Sequence, residues 1–550
     1  MIERWYRQAV IYCLDVETFQ DSDGDGIGDL RGLASRLDYL ARLGVTTLWL
    51  NPIHPSPRRD GGYDVTDHYG VHPQIGSLGD FAELLHLADN RGLRILLDLV
   101  LNHTSDEHPW FRSARARRES PYHGWYVWSD TEPPDRFQGT VFPGEQSETW
   151  SWDEQARAWY FHRFHRFEPD LNMEHPAVRE EILKILGFWL RLGVSGFRLD
   201  AAPFVIERVR PGDPQPPRDY ALLSTLRAHM SWRLGDSLLL AEANVPLAEL
   251  PTYFGEPGGG CDRAQMLFAF RLNAKLMLAL ARGDAEPVIE TLASLPPIPS
   301  GGQWATFLRN HDEVDLSTLT AEQRREVFGA FGPDPEMQIY GRGLRRRLAP
   351  MLGGDQRRLR MAYSVQFTLP GTPILRYGDE IGMGEDLSLP ERDAIRTPMQ
   401  WDPSPGAGFS SGQELIRPVV TGGSYGYQSV NVVRQRRDPD SLLHWFERML
   451  HTLRECPEVG VGTFNVPPAD IPRHVLVHRF EAPTGILLFL HSLSDHPAVV
   501  DLGEQPGQDG DPLEVFADAD YEPADRQLRH LPLNGYGYRW FRLSRAPGPL

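Results

Sequence analysis

Short, almost wholly apolar runs alternate with amphipathic stretches through most of the chain. Residues 9–19 (AVIYCLDVETF) form a β-rich run, and 30–43 carry apolar residues at helical spacing until Gly44 stops them. Residues 45–50 (VTTLWL) are a second strand, and 80–90 a helix with Leu84, Leu85 and Leu87 on its apolar side. The third strand, 94–100 (RILLDLV), is apolar enough to be buried on both faces. A long apolar helix, 178–192, leads to Gly196-Phe197-Arg198-Leu199-Asp200. There Phe197 and Leu199 alternate with Arg198 and Asp200, the period of a strand, and Pro203 prevents the ladder from continuing. Residues 237–241, 266–270, 304–308 and 373–377 supply strands five to eight. Eight strand–helix units with polar residues at the strand C-termini predict an α/β fold, a parallel (β/α)8 barrel.

Two stretches break this rhythm. Residues 104–175, rich in Trp, Pro and charge, are too long for a βα loop and predict an inserted subdomain after strand three. After a helix at 442–453 come short β-like runs at 475–480, 485–491, 513–517 and 536–543, the pattern of an antiparallel domain. The expected division is a barrel over 1–103 and 176–455, an insert over 104–175 and a C-terminal β domain over 456–550.

Charge and cysteine content narrow the partners. A net charge of -19 argues against nucleic acid, whose binding needs clustered Lys and Arg. The one basic run, 342–347, is expected to be a solvated helix face. Cys13, Cys261 and Cys456 are odd in number and far apart, so neither a disulfide framework nor a zinc site fits them. The N-terminus has no basic-then-apolar leader pattern and no run of 18 apolar residues occurs, which predicts a cytoplasmic protein with no membrane partner.

The chemistry gathers at the strand ends. Strand three ends in Asp98-Leu99-Val100-Leu101-Asn102-His103, strand four in Asp200, strand five in Glu242-Ala243-Asn244 and strand seven in Arg309-Asn310-His311-Asp312. Arg198 is the natural partner keeping Asp200 ionised at a buried strand end, which makes Asp200 a candidate nucleophile. Convergent carboxylates suit glycosidic cleavage, with one nucleophile and one acid around an oxocarbenium-like transition state. A catalytic metal is the competing reading of an Asp/Glu/His ring. Paired cysteines and the H-E-x-x-H spacing are absent, which weighs against it.

These blocks, in this order and each at a strand end, resemble the signature regions of the α-amylase family, glycoside hydrolase family 13. The resemblance implies Asp200 as nucleophile, Glu242 as acid/base and Asp312 as transition-state stabiliser. It implies that His103, Arg198 and His311 line the glucose subsite, with Tyr63 of Asp60-Gly61-Gly62-Tyr63 stacked on the sugar. Asp60 would close the subsite against longer chains with an arginine of the eighth loop, Arg392 or Arg396. Asp98 would buttress Arg198. The segments 369–373, 377–384 and 396–401 are similar to the eighth-strand region of trehalose synthases and oligosaccharide α-glucosidases. Residues 309–313, 345–350 and 425–428 lean toward the former, with Asn244 and Glu313 as further sugar contacts. The chain departs at Glu168, where these relatives usually carry Gln, and in 132–147 and 270–282.

Asp21-Ser22-Asp23-Gly24-Asp25-Gly26-Ile27-Gly28-Asp29 places alternate carboxylates on a tight loop, a pattern that converges oxygens on a hard cation. The twelfth position is Gly32 rather than Glu, so it is no EF-hand, and an empty polar turn is the alternative. By resemblance it is a structural Ca²⁺ loop with Asp21, Asp23, Asp25, Asp29 and the Ile27 carbonyl as ligands.

The expected protein is a retaining enzyme of small α-glucosides (maltose, trehalose, sucrose). It would isomerise maltose to trehalose inside a pocket lidded by the Trp-rich insert (Trp125, Trp128, Trp150, Trp152, Trp159). The alternatives are a hydrolase or transglucosidase of the same sugars, and an inactive binding subunit. Such a subunit would typically have lost the nucleophile or the acid.

Overall fold

The computed structural model describes residues 4–256, 258–467 and 471–544. Eight strands close into a parallel barrel: β1 (Ile11–Leu14), β2 (Thr47–Leu50), β3 (Arg94–Leu99), β4 (Gly196–Leu199), β5 (Leu238–Ala241), β6 (Met266–Phe268), β7 (Gln303–Phe307) and β8 (Thr372–Arg376). Each pairs with its neighbour in the chain, and β1 closes on β8 through Ile11 opposite Ile374. The near-continuous apolar runs follow from two burial environments. Cys13, Trp49, Leu96, Leu240, Phe268 and Ile374 fill the barrel interior. Tyr12, Leu48, Leu97, Phe197, Leu239 and Leu267 face the helices. Gly196 is required where it stands: its φ is 156°, and a Cβ would sit 2.2 Å from the Leu238 carbonyl oxygen of β5.

Three elements are shorter than the pattern predicts. The 9–19 run is a strand only to Leu14, after which Val16–Thr18 turns as a 3-10 helix. The 30–43 helix is two, Leu30–Ser35 and Leu37–Leu43, broken at Arg36 (φ -104°, ψ 3°). Phe270, expected to end the sixth strand, begins the helix Phe270–Arg282.

The insert carries an antiparallel sheet of Trp128–Ser129, Trp150–Asp153 and Ala158–Phe161. The C-terminal part holds a five-stranded antiparallel sheet of Thr463–Asn465, Val475–Ala482, Gly485–Ser492, Leu513–Ala517 and Tyr538–Leu543. It also holds the pair Ala498–Val500 with Leu531–Leu533, which the hydrophobic pattern does not reveal.

The basic run is not a solvated helix face. Gly343–Leu344 is a strand in a small sheet with Val314–Asp315 and Gln338–Ile339. The Arg345 guanidinium donates to the carbonyls of Leu387 (2.9 Å) and Leu389 (2.6 Å), and Arg346 pairs with Glu385 at 2.7 Å. Arg347 is buried and donates to the Tyr377 carbonyl at 2.8 Å. These arginines tie down the loop after β8. No helix among the described residues is long and apolar enough to cross a membrane.

The C-terminal sheet docks on the helix Gln356–Thr368 through two buried imidazoles. His478 Nε2 donates to the Thr368 carbonyl (2.8 Å), and His491 Nε2 lies 2.9 Å from Ser364 Oγ. Burial pushes the His478 pKa down to about 4 and that of His491 well below the ordinary value. A folded pKa below the unfolded one means the unfolded chain binds more protons. The stabilising effect of neutral His478 is therefore complete above about pH 6.5 and is lost as pH falls toward 4, an amount of about 3 kcal/mol. In thermal melts from pH 7.5 to 4, the excess stability over His478→Gln should shrink with acidity; a constant gap would contradict this.

Candidate active site

The C-terminal ends of β3, β4 and β5 lie in register, Asp98 opposite Arg198 and Arg198 opposite Leu240. Asp200 and Glu242 therefore emerge at one level of the barrel mouth. A single guanidinium joins them: Arg198 Nη1 donates to Asp200 Oδ1 (2.5 Å) and Asp98 Oδ1 (2.6 Å), and Nη2 to Glu242 Oε2 (2.8 Å). Asp98 also accepts from Trp49 Nε1 (3.1 Å) and the Tyr63 hydroxyl (3.0 Å), so it anchors Arg198 from below. Ala201, directly after the nucleophile candidate, is held at φ 47°, ψ 40°, and its N–H donates to Glu242 Oε2 at 3.0 Å. Left-handed backbone at a residue with a Cβ costs of order 1 kcal/mol and persists here because it orients the acid.

Burial and the Asp200 and Asp312 charges push the Glu242 pKa up to about 7, against the pull of Arg198. Burial also raises Asp200, to about 7, with Arg198 opposing. Asp200 takes the shorter bond from Arg198, so the proton the two carboxyls retain near neutrality rests on Glu242. A quarter of the Glu242 side chain stays open to the cavity, where a leaving group would lie. kcat/KM should therefore fall as pH rises through about 7, when the acid loses its proton. Glu242→Gln should slow glucosylation by maltose at least about tenfold more than by p-nitrophenyl α-glucoside, whose leaving group needs no proton. Stopped-flow release of nitrophenol checks this, and equal losses would remove Glu242 from the acid role.

The third carboxylate is held differently. Burial alone would raise Asp312, yet His311, Arg392 and Arg396 hold it well below the usual carboxylate range. Arg392 Nη1 (2.9 Å) and Arg396 Nη2 (3.2 Å) both reach Asp312 Oδ1, and His311 Nε2 lies 2.9 Å from Oδ2. Arg309 donates to the Asp312 carbonyl at 2.6 Å. Of the two eighth-loop arginines, Arg392 makes the pair with Asp60 (2.7 Å), while Arg396 Nε donates to the His311 carbonyl (2.9 Å) beneath.

One cavity of about 450 Å³ is lined by Asp60, Tyr63, His103, Arg198, Asp200 and Glu242, and by Asn244, Asp312, Glu313 and Arg392. His311 and Arg396 stand behind this wall. His311 stacks at 15° on the ring of Tyr63, with its Nε2 2.7 Å from the hydroxyl. Burial lowers the pKa of His103 to about 4 and raises that of Glu313 to about 7. His103 is thus neutral near pH 7. Asn244 donates to Asp315 Oδ2 at 2.7 Å.

The expected tryptophan lid is wrong in its residues. Trp125 and Trp150 are buried inside the insert, and Trp152 faces Trp159 at 5.8 Å across its sheet; none of the five tryptophans lines the cavity. Its roof is residues 139–142 with Phe164. Phe142 packs against Tyr340 at 5.0 Å, in a buried cluster with Ile339. Tyr340 (φ 54°) donates its hydroxyl to Glu391 (φ 38°) at 3.2 Å, so two residues in left-handed backbone join at this clasp. Glycine and valine in the 139–142 segment gave no sequence signal beyond lying in a divergent stretch.

In the Asp21 loop, carboxylate oxygens of Asp21, Asp23 and Asp29 fall within 4.8 Å of one another. Asp25 is outside that group, and its Oδ1 accepts from the Ile27 N–H at 2.8 Å. Three hard oxygen donors on one tight turn fit a calcium ion.

Comparison with known proteins agrees with this geometry. A family model described as the α-amylase catalytic domain matches residues 13–329 and 345–459, and one described as a sucrose hydrolase-like C-terminal domain matches 485–542. The chain is 42% identical to a trehalose synthase/amylase of Mycolicibacterium smegmatis, over 99% of this chain and 93% of that one. It is 40% identical to a trehalose synthase of Pimelobacter sp., over 98% and 96%. The crystal structure of an α-amylase from H. orenii superimposes with a TM-score of 0.79 at 26% identity, covering 97% of this chain and 99% of that one. With the barrel, the three carboxylates at its mouth and full-length similarity at this level, the chain belongs to the α-amylase family and is a retaining, trehalose synthase-like enzyme of that family.

Proposed function

We propose that this enzyme interconverts maltose and trehalose through a glucosyl group carried on Asp200. Asp200 attacks C1 of the bound glucoside while Glu242 gives its proton to the glycosidic oxygen, releasing glucose. The freed glucose turns in place, Glu242 takes the proton of its anomeric hydroxyl, and that oxygen displaces Asp200 from C1. The observation carrying this reading is closure on two sides. The Asp60–Arg392–Asp312 chain shuts the cavity beyond the glucosyl unit, and the Phe142–Tyr340 clasp roofs it. Retained glucose outcompetes water only while exit and solvent are both blocked. The cavity is not fully enclosed, so some water reaches the glucosyl ester and glucose is expected as a minor product. Supplying maltose with labelled free glucose tests the route, with unlabelled trehalose expected.

Maltose, trehalose and sucrose are the substrates to assay first, since the Asp60–Arg392 pair leaves no room for a longer chain on the glucosyl side. We also propose that Asp21, Asp23 and Asp29 hold a structural calcium. Ligand binding to the folded state alone adds about 2.7 kcal/mol at a hundredfold excess over Kd. Chelator should lower Tm and added calcium restore it; an unchanged Tm would mean that the loop binds no ion. Three free cysteines, two of them buried, suit a reducing compartment, and we place the protein in the cytoplasm.

A further inference from the structure

Beside Asp60, two buried side chains face each other with neither satisfied. His103 Nε2 and Glu168 Oε1 lie 3.8 Å apart, with 3% and 0% of their side chains exposed. Neither atom has a hydrogen-bond partner among the described residues. Leaving such groups unpaired in the interior is costly, so both point to an occupant between them. Glu168 Oε2 accepts from the His165 N–H at 3.2 Å, which leaves Oε1 turned to His103. The set extends further, since one donor atom each of Asp60, His165 and Glu168 fall within 4.8 Å of one another. Arg392 takes Oδ1 of Asp60, so the second oxygen of that carboxylate stays available. The His165 ring is fixed in plane by stacking on Phe142 (5.1 Å, 23°) and on Phe167 (5.0 Å, 4°). Burial, with the charges of Asp60 and Asp64, pushes the Glu168 pKa well above the carboxylate range, so the acid keeps its proton near neutrality. Two imidazoles and two carboxylates are a donor set suited to zinc, whose bonds to N and O are about 2.0–2.2 Å long. Tetrahedral ligand atoms then stand about 3.4 Å apart, close to the gap between His103 and Glu168. With Glu168 ionised, two carboxylate charges offset Zn²⁺, while Arg392 keeps Asp312 at 2.9 Å.

We propose that Asp60, His103, His165 and Glu168 bind one zinc ion and that the bound ion shuts the enzyme reversibly. The ion takes the place of the Glu168 proton, which leaves to solvent. Asp60 and His103 line the cavity that receives the glucosyl unit, so zinc and sugar compete for the same side chains. That competition rests on the proposed function, whereas binding of the ion does not. Calcium and magnesium favour sites built of oxygen alone and should not displace zinc from one with two imidazoles.

The experiment dialyses the whole enzyme against zinc or cobalt(II), with calcium in excess to fill any oxygen-only site, and measures bound metal. Wild type should retain one zinc per chain more than Glu168→Gln or His165→Phe. Co²⁺ in its place should give a visible absorption band that both variants lack. Zinc should inhibit maltose turnover competitively, and a zinc-selective chelator should restore it. Either variant should raise the inhibition constant at least about tenfold, as loss of a ligand does. Neither side chain lines the sugar cavity, so turnover without zinc should stay within about threefold of wild type. His165→Phe removes the ligand nitrogen and keeps a ring to stack on Phe142. Zinc retained equally by wild type and both variants, or by none of them, would overturn the proposal. Zinc retained by wild type with unchanged maltose kinetics would overturn the inhibition. Absence of turnover in the zinc-free enzyme would instead overturn the isomerase reading, leaving metal content and the cobalt band to decide the site.

Discussion

Replacing Asp200 by Asn is expected to lower turnover of maltose about 10⁴- to 10⁶-fold and leave the fold intact. The amide cannot form the glucosyl ester, so the covalent route is lost rather than slowed, and losses of that size accompany removal of a nucleophile. Stability should be retained or raised. Arg198 keeps Asp98 at 2.6 Å and Glu242 at 2.8 Å, and the like-charge crowding that helps raise Asp200 and Glu242 is relieved. Thermal melting and product analysis on one preparation check both halves. Wild-type-like turnover by Asp200→Asn would overturn the assignment, and a collapsed Tm would show that Asp200 is part of the structural pair network instead.

Arg392→Ala should be the next most damaging change. It leaves Asp60 and Asp312 without the guanidinium that bridges them at 2.7 and 2.9 Å, and removes the cation lying 5.5 Å from the Phe142 ring. Breaking a buried pair from one side costs about 3–5 kcal/mol, which corresponds to about 10²- to 5 × 10³-fold in kcat/KM if it falls on the transition state. The product ratio carries the sharper information. With the ring open, water reaches the glucosyl ester, so the share of glucose should rise over trehalose. Arg396→Ala should slow the reaction without that shift, because Arg396 supports Asp312 and the His311 carbonyl from outside the cavity. An unchanged ratio in Arg392→Ala would separate the ion pair from pocket closure.

The barrel was legible because its strands are runs such as RILLDLV, buried on both faces and ended by charged residues. The placement of Asp98, Arg198, Asp200, Glu242 and Asp312 at strand ends made them visible as one constellation before any contact was known. What stayed hidden depended on loops. The choice between Arg392 and Arg396 is set by the 3-10 turn Glu391–Ile395, which has no period to read. The 342–347 run looked like a helix face because spacing counts charges but does not count the carbonyls of Leu387 and Leu389 that needed donors. Tryptophan abundance pointed to the wrong lid, since large rings in an insert are needed first for the insert's own core.

The most direct test is isomerisation of unlabelled maltose by the wild-type enzyme in an excess of ¹³C-glucose, with trehalose analysed by mass. Retention of the freed glucose inside the Asp60–Arg392 and Phe142–Tyr340 closure predicts trehalose without label as the main product. Trehalose carrying one labelled ring, or glucose as the sole product, would contradict it.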